Sequence, residues 1–454
     1  KTSAKILIND LKKTNVDAVA ICLIHSYANP SHELELKELV KESIGNVYLS
    51  VSSELLPEYR EFERMNTTVM NAYIGPKVSK YIQKLENGLK LLNLNKLLIM
   101  QANGGVMSPE AVLPRPINII ESGPAGGVLA ASYIAKLTGR NKIISFDMGG
   151  TTAKTCLVQD YKPFLSSTYE VLSSESGDSL VIGSGYPLKI PVMDMYEVGA
   201  GGGSIGWIDE GGALRVGPKS AGADPGPACY AKGGKNPTIT DANLILGRLN
   251  PDYFLGGKLK LDVKLAKSAF ESLTDKLNMD IVKVAEGITR IANTTMIRGL
   301  RRVSVEKGYD LRDVHLVAYG GAAPIEACNI ANEVGIKEIV IPLVPGLFSA
   351  LGFLVTNLEH HYSQTLIQSF KELSIQDVEN KYNELEQKAL DQLKVDNIPD
   401  QDIQLIRSMD VRYAGQGFEL AVPVNKNLKD TDIDSLGKSF NNIHKIRYGY
   451  NIEN

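Results

Sequence analysis

The sequence is poor in the residues that stabilise disulfide-rich and zinc-bound folds. Its four cysteines (Cys22, Cys156, Cys229 and Cys328) are far apart and form no CxxC pair, which predicts neither a disulfide framework nor a thiolate zinc site. Such sparse cysteine usage fits a reducing compartment, the cytoplasm. The six histidines show no HExxH spacing, so we expect no zinc site built within this chain.

The chain also lacks a strong charge of either sign and a long unbroken hydrophobic run. Lys and Arg number 49 against 52 Asp and Glu, a net charge of -3, and that balance calls for no nucleic acid partner. The uncharged stretch 339–355 is interrupted by Pro342, Pro345, Gly346 and Gly352. A membrane-spanning helix needs ~20 apolar residues without such breaks. We therefore predict a soluble protein with no membrane partner.

Length and alternating patterns are what the sequence does have. At 454 residues with 43% hydrophobic content, the chain is long enough for about two to four domains. The continuous apolar run 18–24 and further predicted strands, such as 143–146, alternate with amphipathic helical patterns, and this alternation indicates an α/β fold. Shifts in composition predict three domains, 1–140, 141–355 and 356–454.

The middle domain contains a glycine-rich segment at about 183–257. It holds 17 of the 41 glycines of the chain, which is far above an even distribution. Apolar residues such as Trp207 and Leu214 punctuate it, so it predicts a hairpin around 209–212 and not a flexible tether. We interpret the segment as an insertion within the second domain.

The sharpest local motif is a tight turn between two predicted strands. It carries Asp147, Gly149, Gly150, Thr151 and Thr152. Glycine lets backbone N–H groups approach phosphate oxygens, and the threonines add hydroxyl donors. The carboxylate cannot bind phosphate itself but can hold Mg²⁺ or its water ligands. We interpret the turn as a phosphate-binding hairpin. The alternative is a plain β-hairpin that uses glycine for positive φ.

Two further turns are rich in glycine. One carries Gly201, Gly202 and Gly203, and its alternative interpretation is a flexible loop. The other carries Gly320 and Gly321 between a predicted strand and a helix. A base or ribose can lie against the bare backbone of such a turn. The alternative is a tight connection between strand and helix, which needs glycine for the same conformational reason. Glycines lose much conformational entropy on folding, so we expect all three turns to converge on one ligand in a cleft between two lobes.

Asp241 is the second candidate for a catalytic carboxylate. It follows Thr240 at the predicted start of a helix. An Asp in the first turn of a helix most often caps the helix or complements its dipole. Both interpretations stay open at the level of the sequence.

Several longer stretches, taken in order, follow a known pattern over nearly the whole chain. They are MNTTVMNAYIGP (65–76), ESGPAGGV (121–128), ISFDMGGTTAKTCLV (144–158), the block 198–257, VSVEKGYDLRDVHLVAYGGAAPIEA (303–327), PGLFSALGFL (345–354) and DVRYAGQGFEL (410–420). Together they resemble the hydantoinase A / 5-oxoprolinase family. That family is similar to actin, hexokinase and the heat-shock chaperone ATPases.

The resemblance implies an α/β protein of two ribonuclease-H-like domains that clamp ATP, the first incomplete here, plus a small α+β C-terminal region. Residues 147–152 correspond to the second phosphate loop and residues 319–324 to the adenosine-side turn, with ATP and Mg²⁺ as cofactors. The family's first phosphate loop, Asp-x-Gly-Gly-Thr, has no counterpart in this sequence. We therefore expect a fragment, truncated at both ends, that binds nucleotide weakly or not at all.

The resemblance also implies an activity, the A-type subunit of an ATP-dependent cyclic amidohydrolase acting on hydantoins or 5-oxoproline. Such enzymes phosphorylate the ring amide oxygen before hydrolysis, and they assemble as oligomers with a B-type subunit. Asp147, as the Mg²⁺ ligand, and Asp241 are the residues we expect to act in catalysis. The alternatives are an acetone or acetophenone carboxylase subunit and a non-enzymatic ATP-driven reactivase.

Overall fold

A computed structural model of the protein describes residues 2–94, 96–171, 185–429 and 432–452. Residues 183 and 184, at the start of the predicted glycine-rich segment, lie outside the described residues. The chain divides into two compact units. The first comprises Lys1–Ile99, Met107–Ile117 and Leu358–Asn454, and the second comprises Met100–Val106 and Asn118–Asn357.

Helices and strands alternate along the chain, as the sequence pattern predicts. Within the described residues the α-helices are α1 (Thr2–Thr14), α2 (Ser31–Ile44), α3 (Ser52–Leu55), α4 (Glu61–Leu91), α5 (Pro109–Val112), α6 (Ser122–Leu137), α7 (Ile239–Ile245), α8 (Val263–Leu277), α9 (Ile281–Val303), α10 (Ala323–Val334), α11 (Phe348–Val355), α12 (Ile375–Val395) and α13 (Asp432–Tyr448). The β-strands there are β1 (Ala18–Ile21), β2 (Tyr48–Val51), β3 (Ile99–Met100), β4 (Val106–Met107), β5 (Lys142–Met148), β6 (Ala153–Gln159), β7 (Lys162–Pro163), β8 (Leu165–Ser166), β9 (Tyr169–Val171), β10 (Tyr186–Leu188), β11 (Val192–Met193), β12 (Met195–Val198), β13 (Ser204–Ile208), β14 (Leu214–Ser220), β15 (His315–Tyr319), β16 (Ile339–Val340), β17 (Arg407–Val411) and β18 (Leu420–Val424).

The second unit is built on a mixed six-stranded sheet. Its order is β12-β6-β5-β15-β16, with β7 beside β6. β5 pairs antiparallel with β6 and parallel with β15, so β5 and β15 end at the same edge of the sheet. The turns that follow these two strands are therefore neighbours in space, although they are distant in sequence.

Helices cover both faces of this sheet. Along β5, Ile144, Phe146 and Met148 belong to a core cluster that includes residues of α9 and α10. Ile143 belongs to a second cluster, which includes residues of α6. Successive side chains of a strand point to opposite faces, so a strand covered on both sides must be apolar at nearly every position. This explains the predominantly apolar sequence of β5.

The first unit contains two smaller cores. β1 and β2 pair in parallel, and Ile8, Ile21 and Val40 pack around them. β17 and β18 pair antiparallel, and a separate cluster there includes Val422 and Phe440. Each core combines a two-stranded sheet with helices, because a two-stranded sheet alone buries too little apolar surface to be stable.

The predicted α/β class is confirmed by this architecture. The predicted hairpin around 209–212 is also confirmed, since β13 and β14 pair antiparallel on either side of it. The ribonuclease-H-like description and the boundaries near 140 and 356 stay predictions. Among the residues that the structure describes, none of the helices combines the length and the apolar character needed to traverse a lipid bilayer.

Candidate functional site

Asp147 lies near the end of β5, at the edge of the sheet where the glycine-rich turns begin. In the sheet register it stands opposite Lys154 of β6 and Tyr319 of β15. It is the one acidic residue of β5, whose other polar residues are Lys142 and Ser145. Because the strand is buried, the Asp147 carboxylate lies in a low-dielectric environment.

The turn after β5 is held by backbone hydrogen bonds to the turn that carries Gly201, Gly202 and Gly203. The N–H of Gly202 donates to the Gly149 carbonyl at 2.9 Å, and the N–H of Gly203 donates to the Gly150 carbonyl at 2.6 Å. Both carbonyl groups of the 149–150 turn therefore point toward the second glycine segment. No acceptor for the Gly150 N–H is found in the described part of the chain, and the residue is exposed.

The close approach of these two turns requires glycine at position 201. A Cβ atom built on Gly201 would lie 2.6 Å from the carbonyl carbons of Gly150 and Thr151 and from the Thr151 nitrogen. Real Cβ atoms do not approach backbone so closely. The flexible-loop interpretation of this segment is therefore wrong, because its backbone packs against the turn after β5.

The third glycine-bearing turn joins the same cluster from β15. The N–H of Ala322 donates to the Met148 carbonyl at 2.9 Å. Gly320 has a φ of +88°, and a Cβ built on it would lie 2.5 Å from Asp147 Oδ1. Gly321 is exposed, and no atom lies within 4 Å of a Cβ built on it. The predicted convergence of the three turns is confirmed, and their ligand stays a prediction.

Lys154 is the cation nearest to the Asp147 carboxylate in the register. Its Nζ donates to Glu121 Oε2 at 2.6 Å and lies 3.1 Å from Glu197 Oε2. Burial raises the pKa of Asp147 to about 6, and the Lys154 charge opposes part of that shift. Burial lowers the pKa of Lys154, but hydrogen bonds and charges from Glu121 and Glu197 outweigh it and the net pKa is raised. The site therefore holds excess negative charge.

A cleft of ≈ 280 Å³ opens beside Asp147. Its wall combines the turn after β5, the first turn of α6 and the start of α11, and its lining residues are Gly123, Pro124, Asp147, Gly149, Thr152, Lys154 and Ser349. Of these, sequence reasoning identified Asp147, Gly149 and Thr152. The other two glycine-rich turns were expected to line the same cleft, but none of their predicted residues is among its lining residues: Gly201, Gly202, Gly203, Gly320 and Gly321. Gly150 and Thr151 are part of the same turn and are exposed beside it.

Sequence reasoning missed Lys154, Glu121 and Ser349 as residues of this site. A lysine near the start of a predicted buried strand was the available signal, since burying an ammonium group requires a partner. The partner could not be read from the sequence, because Glu121 precedes α6 and meets Lys154 only through the fold. Ser349 carries no comparable signal.

The start of α6 lies at the cleft. α6 begins at Ser122, and its N-cap residue is Glu121. Glu121 has a left-handed φ of +57° and makes no side-chain cap hydrogen bond. Its carboxylate is instead occupied by Lys154, which explains why it does not cap the helix.

Asp241 lies in the first turn of α7 with all its side-chain oxygens occupied. It is fully buried and forms a capping box with Thr238. Its Oδ1 accepts from the Cys229 N–H at 2.8 Å, and its Oδ2 accepts from the Thr238 N–H at 3.0 Å and Oγ1 at 2.7 Å. The capping interpretation is confirmed. These contacts give no support to the catalytic role, which stays a prediction.

The described residues contain no group of three or more His, Cys, Asp or Glu side chains placed to hold a metal ion. A Mg²⁺ ion does not need such a group, because it commonly binds one or two carboxylates and completes its shell with water and substrate phosphate. Asp147 fits that role by its burial and its position beside the cleft. The donor set therefore suits a Mg²⁺–phosphate pair better than a transition metal.

With this geometry established, comparison with known sequences identifies the family. The hydantoinase/oxoprolinase profile matches residues 64–362, the N-terminal region profile matches 2–44 and the C-terminal domain profile matches 368–450. The chain belongs to the hydantoinase/oxoprolinase family. The match covers both units and includes every residue of the cleft.

Individual members of this family are similar over almost the whole chain. An uncharacterized protein of Methanocaldococcus jannaschii is 42% identical over 441 residues, which are 97% of this chain and 63% of that protein. The caprolactamase subunit alpha of Pseudomonas jessenii is 33% identical over 453 residues, 98% of this chain and 63% of the relative.

A solved structure agrees with these matches. The crystal structure of the ATP-dependent caprolactamase from Pseudomonas jessenii matches with a TM-score of 0.84 and 32% identity, covering 100% of this chain and 65% of that chain. The present chain therefore spans less than two thirds of the length of these relatives.

Proposed function

We propose that the chain is the ATP-handling, A-type portion of an ATP-dependent cyclic amidohydrolase, which phosphorylates a ring amide oxygen before hydrolysis. The observation that carries the proposal is the meeting of three glycine-bearing turns around the Asp147 carboxylate. Family membership and a relative named ATP-dependent caprolactamase support it. The substrate class is small cyclic amides, such as hydantoins, 5-oxoproline and lactams.

The residues of the cleft fit a nucleotide phosphate chain. The exposed Gly150 N–H has no acceptor in the described part of the chain, whereas the Gly149 and Gly150 carbonyls point away toward the Gly201–Gly203 turn. Exposed N–H groups of a glycine turn favour an anion. Thr151 and Thr152 would add hydroxyl donors, and Gly201–Gly203 would hold the turn rigid. Gly320 and Gly321, which have no side chains, would leave room for the base or ribose of the nucleotide beside the end of β15.

Mg²⁺ fits Asp147 for an electrostatic reason. Burial disfavours the charged carboxylate and raises its pKa to about 6, so a bound cation would stabilise the ionised form. Without a cation, the same carboxylate would repel a phosphate placed beside it. We assign Asp147 to Mg²⁺, directly or through a water, and not to proton transfer.

The chain's own residues then act by position and charge. ATP, when bound, supplies the phosphoryl group that makes the amide oxygen a good leaving group. The turn after β5 would hold the phosphates, Asp147 would place the cation, and Lys154 would offset part of the negative charge. Groups that are already fixed by the fold need no reorganisation during reaction, and this is the main source of catalysis in phosphoryl transfer.

We further propose that the protein works with a B-type subunit as an oligomer. The relative named caprolactamase subunit alpha supports a division into subunits. Among the described residues, no group of three or more His, Cys, Asp or Glu side chains is placed to hold a metal ion, and this is compatible with a partner that completes the active site. The ribonuclease-H-like description of the two domains is part of the same proposal.

The test is ATP hydrolysis by the full-length protein with its candidate B-type partner, using 5-oxoproline, hydantoin and caprolactam as substrates. We expect at least one cyclic amide to stimulate Mg²⁺-dependent ATP turnover in proportion to ring opening. Asp147→Asn should reduce turnover by about 10²–10³-fold, the loss typical of one preorganised electrostatic group. Asp160→Asn, an exposed carboxylate in the turn after β6, is the matched control and should leave turnover unchanged.

The alternative functions are outcomes of the same experiment. Stimulation by acetone or acetophenone with bicarbonate, and not by any cyclic amide, would identify a ketone carboxylase subunit. Stimulation by a protein client alone would identify a reactivase. Full activity of Asp147→Asn with an unchanged Mg²⁺ dependence would remove Asp147 from the site.

A further inference from the structure

The second unit contains another cavity that the proposed function does not use. It has a volume of ≈ 490 Å³ and lies in a groove between α9 and α10, with Arg248 at one end. All eight lining residues are polar or charged, and they include two arginines, two glutamates and three asparagines. Cavities that bind drug-like or aromatic ligands are lined mainly by apolar side chains. This groove therefore suits a small and strongly polar ligand.

The walls of the groove are rigid because they are outer faces of packed helices. On α9, Glu286, Arg290 and Asn293 follow helical spacing and share one face. The opposite faces of both helices contribute Ala292 and Ile330 to the main core cluster. Asp280 caps the start of α9 by accepting from the Val282 N–H at 2.8 Å. Sites built on such elements hold their side chains in place better than loops do.

Two buried side chains here have an oxygen without a hydrogen-bond donor among the described residues: Asn293 lines the groove, and Glu326 does not line it but lies beside Arg248, which does. Asn293 is 4% exposed, and its Oδ1 has no hydrogen-bond partner among the described residues. Glu326 is fully buried. Its Oε1 accepts from Asn243 Nδ2 at 2.7 Å, whereas its Oε2 has no hydrogen bond and lies 3.7 Å from an Arg248 guanidinium nitrogen. An unpaired buried acceptor destabilises a fold, so a ligand that brings N–H donors would be stabilised here.

Charged side chains of both signs line the groove, and all of them except Arg248 lack an ion-pair partner among the described residues. Arg290, Glu286 and Glu333 form no ion pair within the part of the chain that the structure describes, and all three are exposed. Arg248 donates one hydrogen bond to Asn243 Oδ1 at 2.9 Å and keeps other N–H groups. A ligand with only a negative charge would be repelled by the glutamates, and a ligand with only a positive charge would be repelled by the arginines.

We propose that this groove binds a small zwitterion of the amino acid class. The carboxylate of the ligand would pair with the guanidinium groups of Arg290 and Arg248. Its ammonium group would donate to Asn293 Oδ1 and pair with Glu333. A zwitterion satisfies both signs at once, and charged hydrogen bonds of this kind are stronger than neutral ones.

The product of the proposed reaction belongs to the class of ligand that this groove would bind. Ring opening of a cyclic amide places a carboxylate and an amine in one molecule, so the product belongs to the class of ligand that the groove fits. In this respect the inference rests on the proposed function, and the groove would be a product-binding site that reports amino acid concentration. The binding inference itself depends only on the residues of the groove.

The test is titration calorimetry of the 454-residue chain without nucleotide. The probes are 6-aminohexanoate and L-glutamate, with hexanoate and hexylamine as the single-charge analogues of the first. We expect saturable binding of at least one zwitterion, at least about tenfold tighter than either single-charge analogue. Arg290→Gln and Glu333→Gln should each weaken it about tenfold. Both side chains are exposed, so both variants should fold.

Arg298→Gln is the matched control, since Arg298 is an exposed arginine of α9 that does not line the groove. It should bind like the wild type. The proposal is overturned if neither zwitterion saturates the chain by about 10 mM, well above the millimolar end of specific affinities, or if Arg290→Gln and Glu333→Gln bind as the wild type does. Because ATP is absent, failure here leaves the amidohydrolase proposal standing, and loss of that activity leaves this binding measurable.

Discussion

A methyl group on the Cα of Gly320 would lie 2.5 Å from Oδ1 of Asp147. Asp147 is the penultimate residue of β5, and Gly320 directly follows β15, which pairs in parallel with β5. Tyr319, the last residue of β15, stands opposite Asp147 in the register. Only a residue without a side chain fits between them. The relationship ties the turn after β15 to the carboxylate that we assign to Mg²⁺.

Gly320→Ala should therefore destabilise the second unit. The new Cβ would meet both the carboxylate and the Met148 carbonyl at 2.5 Å, and the φ of +88° is unfavourable for any L side chain. We expect a loss of at least about 2 kcal/mol in the free energy of unfolding. Denaturant unfolding measures it, and Gly321→Ala, with open space around its Cβ, is the control. Equal stability of the two variants would contradict the geometry.

Asp147→Asn should stabilise the ligand-free protein at neutral pH. The pKa of Asp147 is raised from 3.8 to about 6 by burial, so the ionised carboxylate disfavours the folded state. The stability provided by its proton is fully present below about pH 4 and is lost as the pH rises through about 6. The wild type should lose about 1–2 kcal/mol more than the variant between pH 4.5 and 7.5. Parallel pH profiles of unfolding free energy for the two proteins would disprove this.

Gly201→Ala should separate the two turns at the proposed phosphate site. Its Cβ would lie 2.6 Å from backbone atoms of Gly150 and Thr151, which cannot swing away as a side chain can. We expect a loss of about 1–3 kcal/mol in stability and loss of nucleotide-dependent activity in the complete enzyme. Gly199→Ala has no atom within 4 Å of its Cβ and serves as the control. Wild-type behaviour of Gly201→Ala would show that the turns do not approach as described.

Asp241→Asn separates capping from catalysis. The substituted amide group would face N–H donors that now meet a carboxylate oxygen, so we expect about 1–3 kcal/mol of lost stability. If Asp241 only caps α7, turnover at a temperature where the protein stays folded should change little. A fall in turnover of about 10²-fold or more at unchanged stability would instead establish a catalytic role. Thermal unfolding and steady-state kinetics on the same preparations decide the matter.

The sequence by itself determined the local elements near the site. β5, β6 and β15 are rich in apolar residues because they are covered on both faces, and burial of that kind leaves a direct trace in residue type. The glycines at 201 and 320 were recognisable for the same reason, since close backbone approach excludes every other residue. The α/β class and the family also follow from the sequence.

Only the tertiary structure decided which of these elements meet. Parallel pairing of β5 with β15 brings Gly320 to Asp147, and the packing of α6 brings Glu121 to Lys154. The tertiary structure also shows that both side-chain oxygens of Asp241 already accept hydrogen bonds. It shows in addition that a polar groove lies between α9 and α10. Contacts between residues so distant in sequence depend on strand order and register. Local residue preferences do not specify these, because the same strand pattern is compatible with several pairings.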